Sequence, residues 1–309
     1  MKGFYKKIIV FVAPVLLIWL ALEVFYQSVE NTYTYKAKKV IETYEDTEIL
    51  IFGDSHSFYG INPKYFSQKT YNLSNVSQSL YFDELLLNKH LDSYKNLKAV
   101  VLNISYFTLS QEDDGVEDAW RKYFYEVQMD VDAPSVRDYD PKKYSLALTR
   151  RFASSLRLVH EYIEEGTIVG CDELGYGLQD ERSIVENKDE MVAGIVKKHE
   201  NGSLKFDHQL ERLQRIIDRC NSRGVELFLI EMPVYKGYYE LLRIDKKKKI
   251  SSNLSELART NNNTHYFNLV PNDLFVDDDF RDADHLTNEG ARKCSVLLSE
   301  LIAKHVTYN

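Results

Sequence analysis

The sequence predicts an α/β domain, a three-layer αβα sandwich with a central parallel sheet of about five strands, preceded by a transmembrane helix. Short apolar runs alternate with helical patterns from residue 47 onward, and this alternation is typical of strand–helix–strand units with a parallel sheet. An uninterrupted apolar stretch near the N-terminus predicts the transmembrane helix.

The composition describes a folded globular protein and argues against several classes of function. Of 309 residues, 44% are hydrophobic and 28% are charged, as expected for a globular chain. The 39 Lys and Arg against 47 Asp and Glu give a net charge of −8, which disfavours a nucleic-acid partner because such partners bind basic surfaces. The three cysteines Cys171, Cys220 and Cys294 have no metal-ligand spacing, and an odd number cannot form a closed disulfide framework. We therefore expect neither a metal site nor a cofactor.

The N-terminal apolar stretch, residues 8–26, reads IIVFVAPVLLIWLALEVFY and contains one charge, Glu23. A helix needs about 20 apolar residues to cross the hydrocarbon core, so this stretch is long enough. Lys2, Lys6 and Lys7 precede it, and by the positive-inside rule they keep the N-terminus cytoplasmic. A cleaved signal peptide is the alternative, but no small-x-small cleavage site follows the stretch. We expect an uncleaved single-pass anchor in the cell membrane, with the remaining chain extracytoplasmic.

The chain is expected to divide into three parts. Residues 1–27 would form the cytoplasmic tip and the anchor, the polar residues 28–46 a stalk, and residues 47–309 the α/β domain. At about 110–205 the alternation breaks down into a stretch rich in Asp, Glu, Arg and Tyr, with one helix near Leu146–Ile163. We interpret this stretch as an insertion over the site, not as a second domain with its own core.

The elements of the α/β domain follow from apolar runs and from helical periodicity. The predicted strands are Glu48–Phe52, Thr70–Leu73, Ala99–Ile104, Val225–Glu231 and Thr264–Leu269. The predicted helices are Tyr81–Leu91, Phe206–Arg223 and Asn288–Lys304.

Two short motifs carry residues suited to chemistry. Gly53-Asp54-Ser55 follows the first strand directly, and the carboxyl ends of parallel strands border the ligand crevice. A serine that begins a helix there has an exposed hydroxyl beside free backbone N–H groups. The second motif, Asp282-x-x-His285, precedes the last helix.

The two motifs together predict a nucleophilic triad. Asp282 is close enough in sequence to accept from the Nδ1 of His285, which leaves Nε2 to act as general base toward Ser55. Each motif also occurs as plain turn or cap chemistry. Their joint occurrence in this order favours catalysis.

These motifs resemble those of the SGNH (GDSL-type) hydrolases, whose fold is an αβα sandwich. The resemblance implies that Ser55 is the nucleophile, His285 the base and Asp282 its orienting partner. The segment His285–Ala291 is similar to the family segment that leads from the histidine into the last helix.

The middle family blocks are altered in this chain. The block that supplies an oxyanion-hole glycine reads YNLSNVSQS over Tyr71–Ser79. The block Gly-x-Asn-Asp is replaced by LNISYF over Leu102–Phe107. Asn103 falls inside the predicted strand, so the role of the family asparagine is not assigned to it.

Other residues are therefore expected to complete the site. The candidate oxyanion donors are the backbone amides of Ser55 and His56 and the side chains of Asn75 or Ser77. We also expect His56 to line the site and Tyr235 to contact substrate.

The same pattern with an N-terminal membrane span is similar to membrane-tethered extracytoplasmic SGNH proteins, such as alginate O-acetyltransferases and the teichoic-acid D-alanylation protein. This resemblance implies an acyltransferase or esterase acting on O-acyl esters, acetyl above all, of cell-envelope polysaccharide, beside a membrane-bound O-acyltransferase partner. One alternative is a non-catalytic scaffold on the same fold. A more distant one is a metal-dependent hydrolase built from Asp54, His56, Asp282, Asp284 and His285.

Overall fold

The computed structural model describes residues 2–111, 119–180, 183–270 and 273–306, without the side chains of residues 2 and 3. The chain separates into two compact units. Unit 1 comprises the described residues within Met1–Lys38 and Val116–Gly170, and unit 2 those within Lys39–Gly115 and Cys171–Asn309.

The helices and strands are numbered in chain order. The helices are α1 Lys2–Ser28, α2 Thr32–Glu42, α3 Ser55–Gly60, α4 Leu80–His90, α5 Arg121–Gln128, α6 Phe152–Glu165, α7 Asp189–His199, α8 Asp207–Ser222, α9 Lys236–Leu241, α10 Ile244–Thr260 and α11 Asn288–Ala303. The strands are β1 Ile49–Phe52, β2 Thr70–Asn72, β3 Ala99–Asn103, β4 Glu226–Glu231 and β5 Thr264–Asn268.

Unit 2 is built on a five-stranded sheet in the order β2-β1-β3-β4-β5. Each neighbouring pair is parallel; Ile51, for example, is in register with Asn72 on one side and with Val101 on the other. The predicted α/β fold with a parallel sheet of about five strands is confirmed. All five predicted strands are present, each within about a residue of its expected ends.

The sheet is buried because its strands are apolar on both faces, the pattern expected when helices cover both sides. On one face, alternate residues such as Ile49, Ile51, Val101 and Phe228 form a core with α11. In α11, Cys294, Leu298 and Ile302 belong to that core. This packing fixes the N-terminus of α11, and with it the preceding loop, at the sheet.

Strand order decides where a ligand crevice can form. β2 lies on one side of β1 and β3 on the other, so the chain turns in opposite directions from neighbouring strands. In this flavodoxin-like order the crevice opens at the carboxyl ends of β1 and β3. The residues that follow those strands, from Gly53 and from Ile104, border it.

Unit 1 contains the N-terminal apolar helix, and α1 is long and apolar enough to cross a membrane over Phe4–Ser28. Its one acidic side chain, Glu23, is satisfied inside the unit: Oε2 accepts from Ser145 Oγ at 2.7 Å and from Ala147 N at 3.0 Å. Trp19 Nε1 donates to the same Ser145 hydroxyl at 3.0 Å. The carboxylate that interrupts the apolar stretch is therefore stabilised by hydrogen bonds from Ser145 and Ala147.

The chain divides differently from the sequence prediction. Residues 28–46, expected to be a stalk, contain α2, and within unit 1 Tyr33 of that helix packs against Phe124 and Tyr125 at 5.3 and 5.2 Å between ring centroids. The expected insertion at about 110–205 divides at Gly170 between the two units. The sequence did not predict the packing of α2 or the division at Gly170. Both segments are polar in composition, and the aromatic residues that pack together are far apart in sequence.

Candidate active site

The turn after β1 requires glycine at position 53. Gly53 has φ +122, and a Cβ atom there would lie 2.9 Å from Asn103 Cβ and 3.0 Å from Ser57 Oγ. Both the dihedral angle and the lack of space favour glycine. The turn delivers Ser55 as the first residue of α3, with Asp54 as the N-cap.

The loop before α11 is folded around the Asp282 carboxylate. Asp282 Oδ1 accepts from the backbone amides of Asp284 at 3.0 Å and His285 at 2.8 Å. Thr287 then caps α11 by accepting from Gly290 N at 3.1 Å. This local turn brings the His285 ring back over its own aspartate.

Ser55, His285 and Asp282 form a continuous hydrogen-bonded array. His285 Nε2 lies 2.8 Å from Ser55 Oγ, and His285 Nδ1 lies 3.0 and 3.1 Å from the two oxygens of Asp282. Ser55 is only partly buried, so a substrate can reach its hydroxyl. The arrangement has the geometry of a serine nucleophile, a base and an orienting carboxylate.

The electrostatics keep Asp282 ionised. Burial alone would raise its pKa, but the His285 hydrogen bond and the two backbone amides hold the pKa well below its usual value. A carboxylate that is charged throughout the working pH range fixes the imidazole tautomer with the proton on Nδ1.

A second buried array surrounds Asp54. Its Oδ1 accepts from His56 N, His56 Nδ1 and Asn103 Nδ2, each at 2.9 Å, and its Oδ2 accepts from Ser105 Oγ at 2.6 Å. Burial opposes ionisation, yet these donors and the His56 charge lower the pKa of Asp54. Asp54 thereby ties the turn after β1 to the end of β3, next to Ser55.

His56 is buried between carboxylates and stacks on the imidazole of His285. Burial alone would lower its pKa, but the Asp54 charge and hydrogen bond raise the pKa of His56 to about 9. Its Nε2 lies 3.6 Å from Asp284 Oδ2, and His199 Nε2 lies 3.8 Å from the same oxygen. Burial and the nearby His56 charge lower the pKa of His199 to about 3. Of these two histidines, His56 carries the positive charge at neutral pH.

The buried Asp83 carboxyl accepts a hydrogen bond from the turn after β1. Its Oδ1 accepts from Gly53 N at 3.0 Å and from Gln78 Nε2 at 2.7 Å. Burial raises the pKa of Asp83 to about 8, because two hydrogen bonds do not compensate for the lost hydration. At neutral pH this carboxyl is protonated, so Asp54 keeps the negative charge nearest the turn.

The expected oxyanion donors behave differently from one another. The His56 amide is not available, because it donates to Asp54; that part of the prediction is wrong. Within the described part of the chain, the Ser55 amide has no protein acceptor. Asn75 Nδ2 is also buried without a partner there, and the Asn75 backbone N–H donates to Gly53 O at 3.2 Å, beside the turn.

The other two expected site residues have different surroundings. Ser77 adopts a left-handed backbone conformation with φ +55, which indicates a turn position. Tyr235 Oη donates to Asp189 at 3.0 Å, at the surface. Within the described part of the chain, neither side chain is hydrogen-bonded to Ser55, Asp282 or His285.

A small cleft borders His56. Its lining includes the His56 ring, Ser105 after β3, and Glu231, Tyr238 and Lys247. The cleft offers space with mixed polar and aromatic walls at the carboxyl ends of β3 and β4.

Three residues of this site could also hold a metal ion. Ligand atoms of Asp282, Asp284 and His285 lie within 4.8 Å of one another. For His285 to be a ligand, one of its ring nitrogens would have to give up its hydrogen bond, since Nε2 is bonded to Ser55 and Nδ1 to Asp282. The donor set therefore fits a serine triad better than a metal centre.

Sequence reasoning missed the residues that support the triad. Ser105, Asp83 and His199 were given no role, Asp284 was named only as a ligand of the metal-dependent alternative, and Asn103 was set aside. Two of them could have been found from their position in the sequence, because Asn103 ends β3 and Ser105 follows that strand at the crevice. Asp83 and His199 gave no such signal, because their partners lie far away in sequence.

Comparisons with known proteins add structural likenesses. No protein-family profile matches the sequence, and no curated protein matches it. A protein of Streptococcus pneumonia, provisionally described as a platelet activating factor, aligns over 95% of this chain and 99% of its own, with 14% identity and a TM-score of 0.42. A Bacteroides fragilis protein, provisionally described as an acylhydrolase, aligns over 87% of this chain and 94% of its own, with 12% identity and a TM-score of 0.44. The function proposed below therefore rests on the site itself.

Proposed function

We propose that this chain is a serine-dependent ester hydrolase or acyltransferase of the SGNH type. The observation that carries the proposal is the 2.8 Å distance between His285 Nε2 and Ser55 Oγ, with His285 Nδ1 held by Asp282. A partly exposed serine with a positioned base is the arrangement that acyl transfer needs.

The reaction proceeds in two balanced steps. Ser55 Oγ attacks the ester carbonyl while His285 Nε2 takes the serine proton. The tetrahedral adduct then collapses, and the alcohol leaves with that proton. In the second step His285 takes a proton from water or from an acceptor hydroxyl, which attacks the acyl-serine. The adduct collapses, and Ser55 Oγ leaves with the proton that His285 returns to it.

The developing oxyanion is stabilised by the Ser55 amide and the Asn75 side chain. Asn75 Nδ2 is buried without a protein acceptor in the described part of the chain. Ser55 is the first residue of α3, where a helix N–H has no intrahelical acceptor. An unpaired buried donor costs free energy in the resting protein. Its placement beside the turn is explained if it pairs with substrate.

The finer part of the proposal concerns location and acceptor. With α1 as a single-pass anchor in the cell membrane and the N-terminus cytoplasmic, the site faces the cell exterior. Its substrates are then O-acyl, chiefly acetyl, esters, with cell-envelope polysaccharide as acceptor and a membrane-bound O-acyltransferase as the source of acyl groups. The apolar length of Phe4–Ser28 supports the anchor.

Labelling by a fluorophosphonate probe tests the nucleophile. The detergent-solubilised full chain is expected to be labelled, and Ser55→Ala is expected to abolish labelling. Ser252→Ala, which removes an exposed hydroxyl on α10, serves as the matched control and retains labelling. Equal labelling of Ser55→Ala and wild type would remove Ser55 as the nucleophile.

A second measurement separates hydrolysis from transfer. The unlabelled full chain and its Ser55→Ala variant are each supplied with a chromogenic acetyl ester, with and without a soluble oligosaccharide. Acetylated oligosaccharide dependent on Ser55 supports transfer. Acetate release that is unaffected by oligosaccharide supports plain hydrolysis.

A further inference from the structure

Helix α6, in unit 1, carries two adjacent apolar faces. It begins after Arg151, runs FASSLRLVHEYIEE and ends at Gly166, which has the left-handed φ of +72 typical of a helix C-terminus. Its polar residues, including Arg157 and His160, occupy the remaining side.

The first apolar face packs on the end of α1. Ser155 is fully buried, and its hydroxyl is hydrogen-bonded to Tyr26 Oη at 2.9 Å. About two turns further, the Tyr162 ring contacts Phe25 edge-on with 5.9 Å between centroids. The last turns of α1 therefore hold α6 at a fixed level along the apolar helix.

The second apolar face is exposed. Phe152, Leu156 and Ile163 are spaced four and seven residues apart, which places them on one side of a helix. Their exposed fractions are 54%, 46% and 71%. A contiguous stripe of large exposed apolar side chains marks a binding surface.

Two arginines lie beside the exposed stripe, toward the N-terminal end of α6. Arg151 precedes the helix and Arg157 lies in its first half, and both are exposed. Arginines beside an exposed apolar stripe suit a membrane interface, where cations meet the phosphate groups. The acidic residues Glu161, Glu164 and Glu165 lie in the second half of α6, on the sides turned away from the stripe.

We propose that α6 is an interfacial helix that inserts Phe152, Leu156 and Ile163 into the lipid headgroup and acyl-chain boundary. The inference rests on the proposed spanning of the membrane by α1. A span of about 20 residues that begins at Ile8 ends near Gln27, so the residues of α1 that hold α6, Phe25 and Tyr26, lie at the membrane surface. The anchor α1 therefore places the exposed stripe of α6 next to lipid.

The test uses the full chain in lipid nanodiscs that contain no other protein. An environment-sensitive fluorophore is attached to Leu156→Cys or Ile163→Cys, and quenching by lipids with a shallow spin label is measured. Glu161→Cys, exposed on the polar side of the same helix and opposite the stripe, is the matched control. The native cysteines are buried, and labelled wild type provides the blank.

The two stripe positions are expected to be quenched about two-fold or more above the Glu161→Cys control, because an interfacial helix buries its apolar face about 5–10 Å into the boundary. Equal quenching at all three positions would overturn the proposal. If Leu156→Cys lowers the melting temperature, Phe152→Cys on the same stripe replaces it.

A label in the middle of α1 separates this proposal from the anchor itself. Leu16→Cys is expected to be quenched by lipids with a deep spin label. Quenching at Leu16 without quenching on α6 would retain the anchor and overturn the interfacial helix. Absence of both would overturn the anchor too. A stripe that is shielded from labelling in native membranes yet not quenched in nanodiscs would identify a protein as its occupant, which also overturns the proposal.

Discussion

The imidazoles of His56 and His285 stack, with 5.1 Å between ring centroids and 29° between ring planes. They are adjacent to the same serine, one as its neighbour in sequence and one as its hydrogen-bond partner. Their hydrogen bonds differ, however. His56 Nδ1 is directed at Asp54, whereas His285 Nε2 is directed at Ser55.

This difference predicts which histidine is the base. His285→Gln is expected to lower the rate of fluorophosphonate labelling by about 10³–10⁴-fold, as loss of a triad member does. His56→Gln, which keeps a side-chain donor for Asp54, is expected to lower it by about 10-fold or less. The labelling rates of the two variants are compared at one pH. A larger loss in His56→Gln would reverse the assignment.

The protonated state of Asp83 predicts a pH dependence of stability. Its pKa is raised from 3.8 to about 8, so the folded state binds the proton more tightly than the unfolded state. The stability that this group contributes is complete below about pH 4 and is lost as pH rises through 8. Asp83→Asn keeps an acceptor oxygen for Gly53 N and cannot ionise, so it escapes this loss.

Melting temperatures measured at pH 5 and pH 9 check this prediction. Asp83→Asn is expected to melt about 5–10 °C above wild type at pH 9, with a smaller difference at pH 5. Asp278→Asn removes an exposed carboxylate and serves as the control. A constant difference between Asp83→Asn and wild type at both pH values would contradict the assignment of the proton to Asp83.

Features of this fold that depend on local sequence patterns could be predicted from the sequence. The strands were recognisable because a fully buried parallel strand needs a continuous apolar run, as in Ile49–Phe52, and that signal is local. The pairing of Ser55 with His285 was also predictable, although 230 residues separate them, because each motif adjoins a secondary-structure element whose place in a parallel sheet is set by topology.

Features that depend on contacts between distant segments were not predictable. Tyr33 lies in a segment whose polar composition predicted a stalk. The residues that it packs against, Phe124 and Tyr125, are far away in sequence. His199 lay in a stretch interpreted as an insertion, and no pattern around it indicates Asp284. The His56 amide was expected to be free, because a helix start usually leaves it so. The Asp54 carboxylate took it instead.

Two neighbouring carboxylates compete for the role of orienting His285. Asp282 Oδ1 lies 3.0 Å from His285 Nδ1, and Asp284 Oδ1 lies 3.3 Å from the same atom. Burial raises the pKa of Asp284, while hydrogen bonds lower that of Asp282. Asp282 is therefore the better anion. Asp282→Asn is expected to lower kcat for a chromogenic acetyl ester by about 10³–10⁴-fold, and Asp284→Asn by about 10-fold.

The kinetic constants are measured on the two amide variants side by side, since both substitutions preserve side-chain volume. Equal losses in both would mean that the two carboxylates act as one unit. A larger loss in Asp284→Asn would transfer the orienting role to Asp284 and remove Asp282 from the triad.

Asn75 and Ser77 were expected to be alternative oxyanion donors, and their surroundings now separate them. Asn75 Nδ2 is buried without a protein acceptor in the described part of the chain, beside the turn that presents Ser55. Ser77 is half-buried in a left-handed turn. Asn75→Ala is expected to lower kcat by about 10²–10³-fold with little change in KM, because an oxyanion donor acts in the transition state. Ser77→Ala is the matched control and is expected to leave kcat within about two-fold. A loss in Asn75→Ala confined to KM would mean that Asn75 binds the ground state of the substrate, and the oxyanion would then depend on the Ser55 amide.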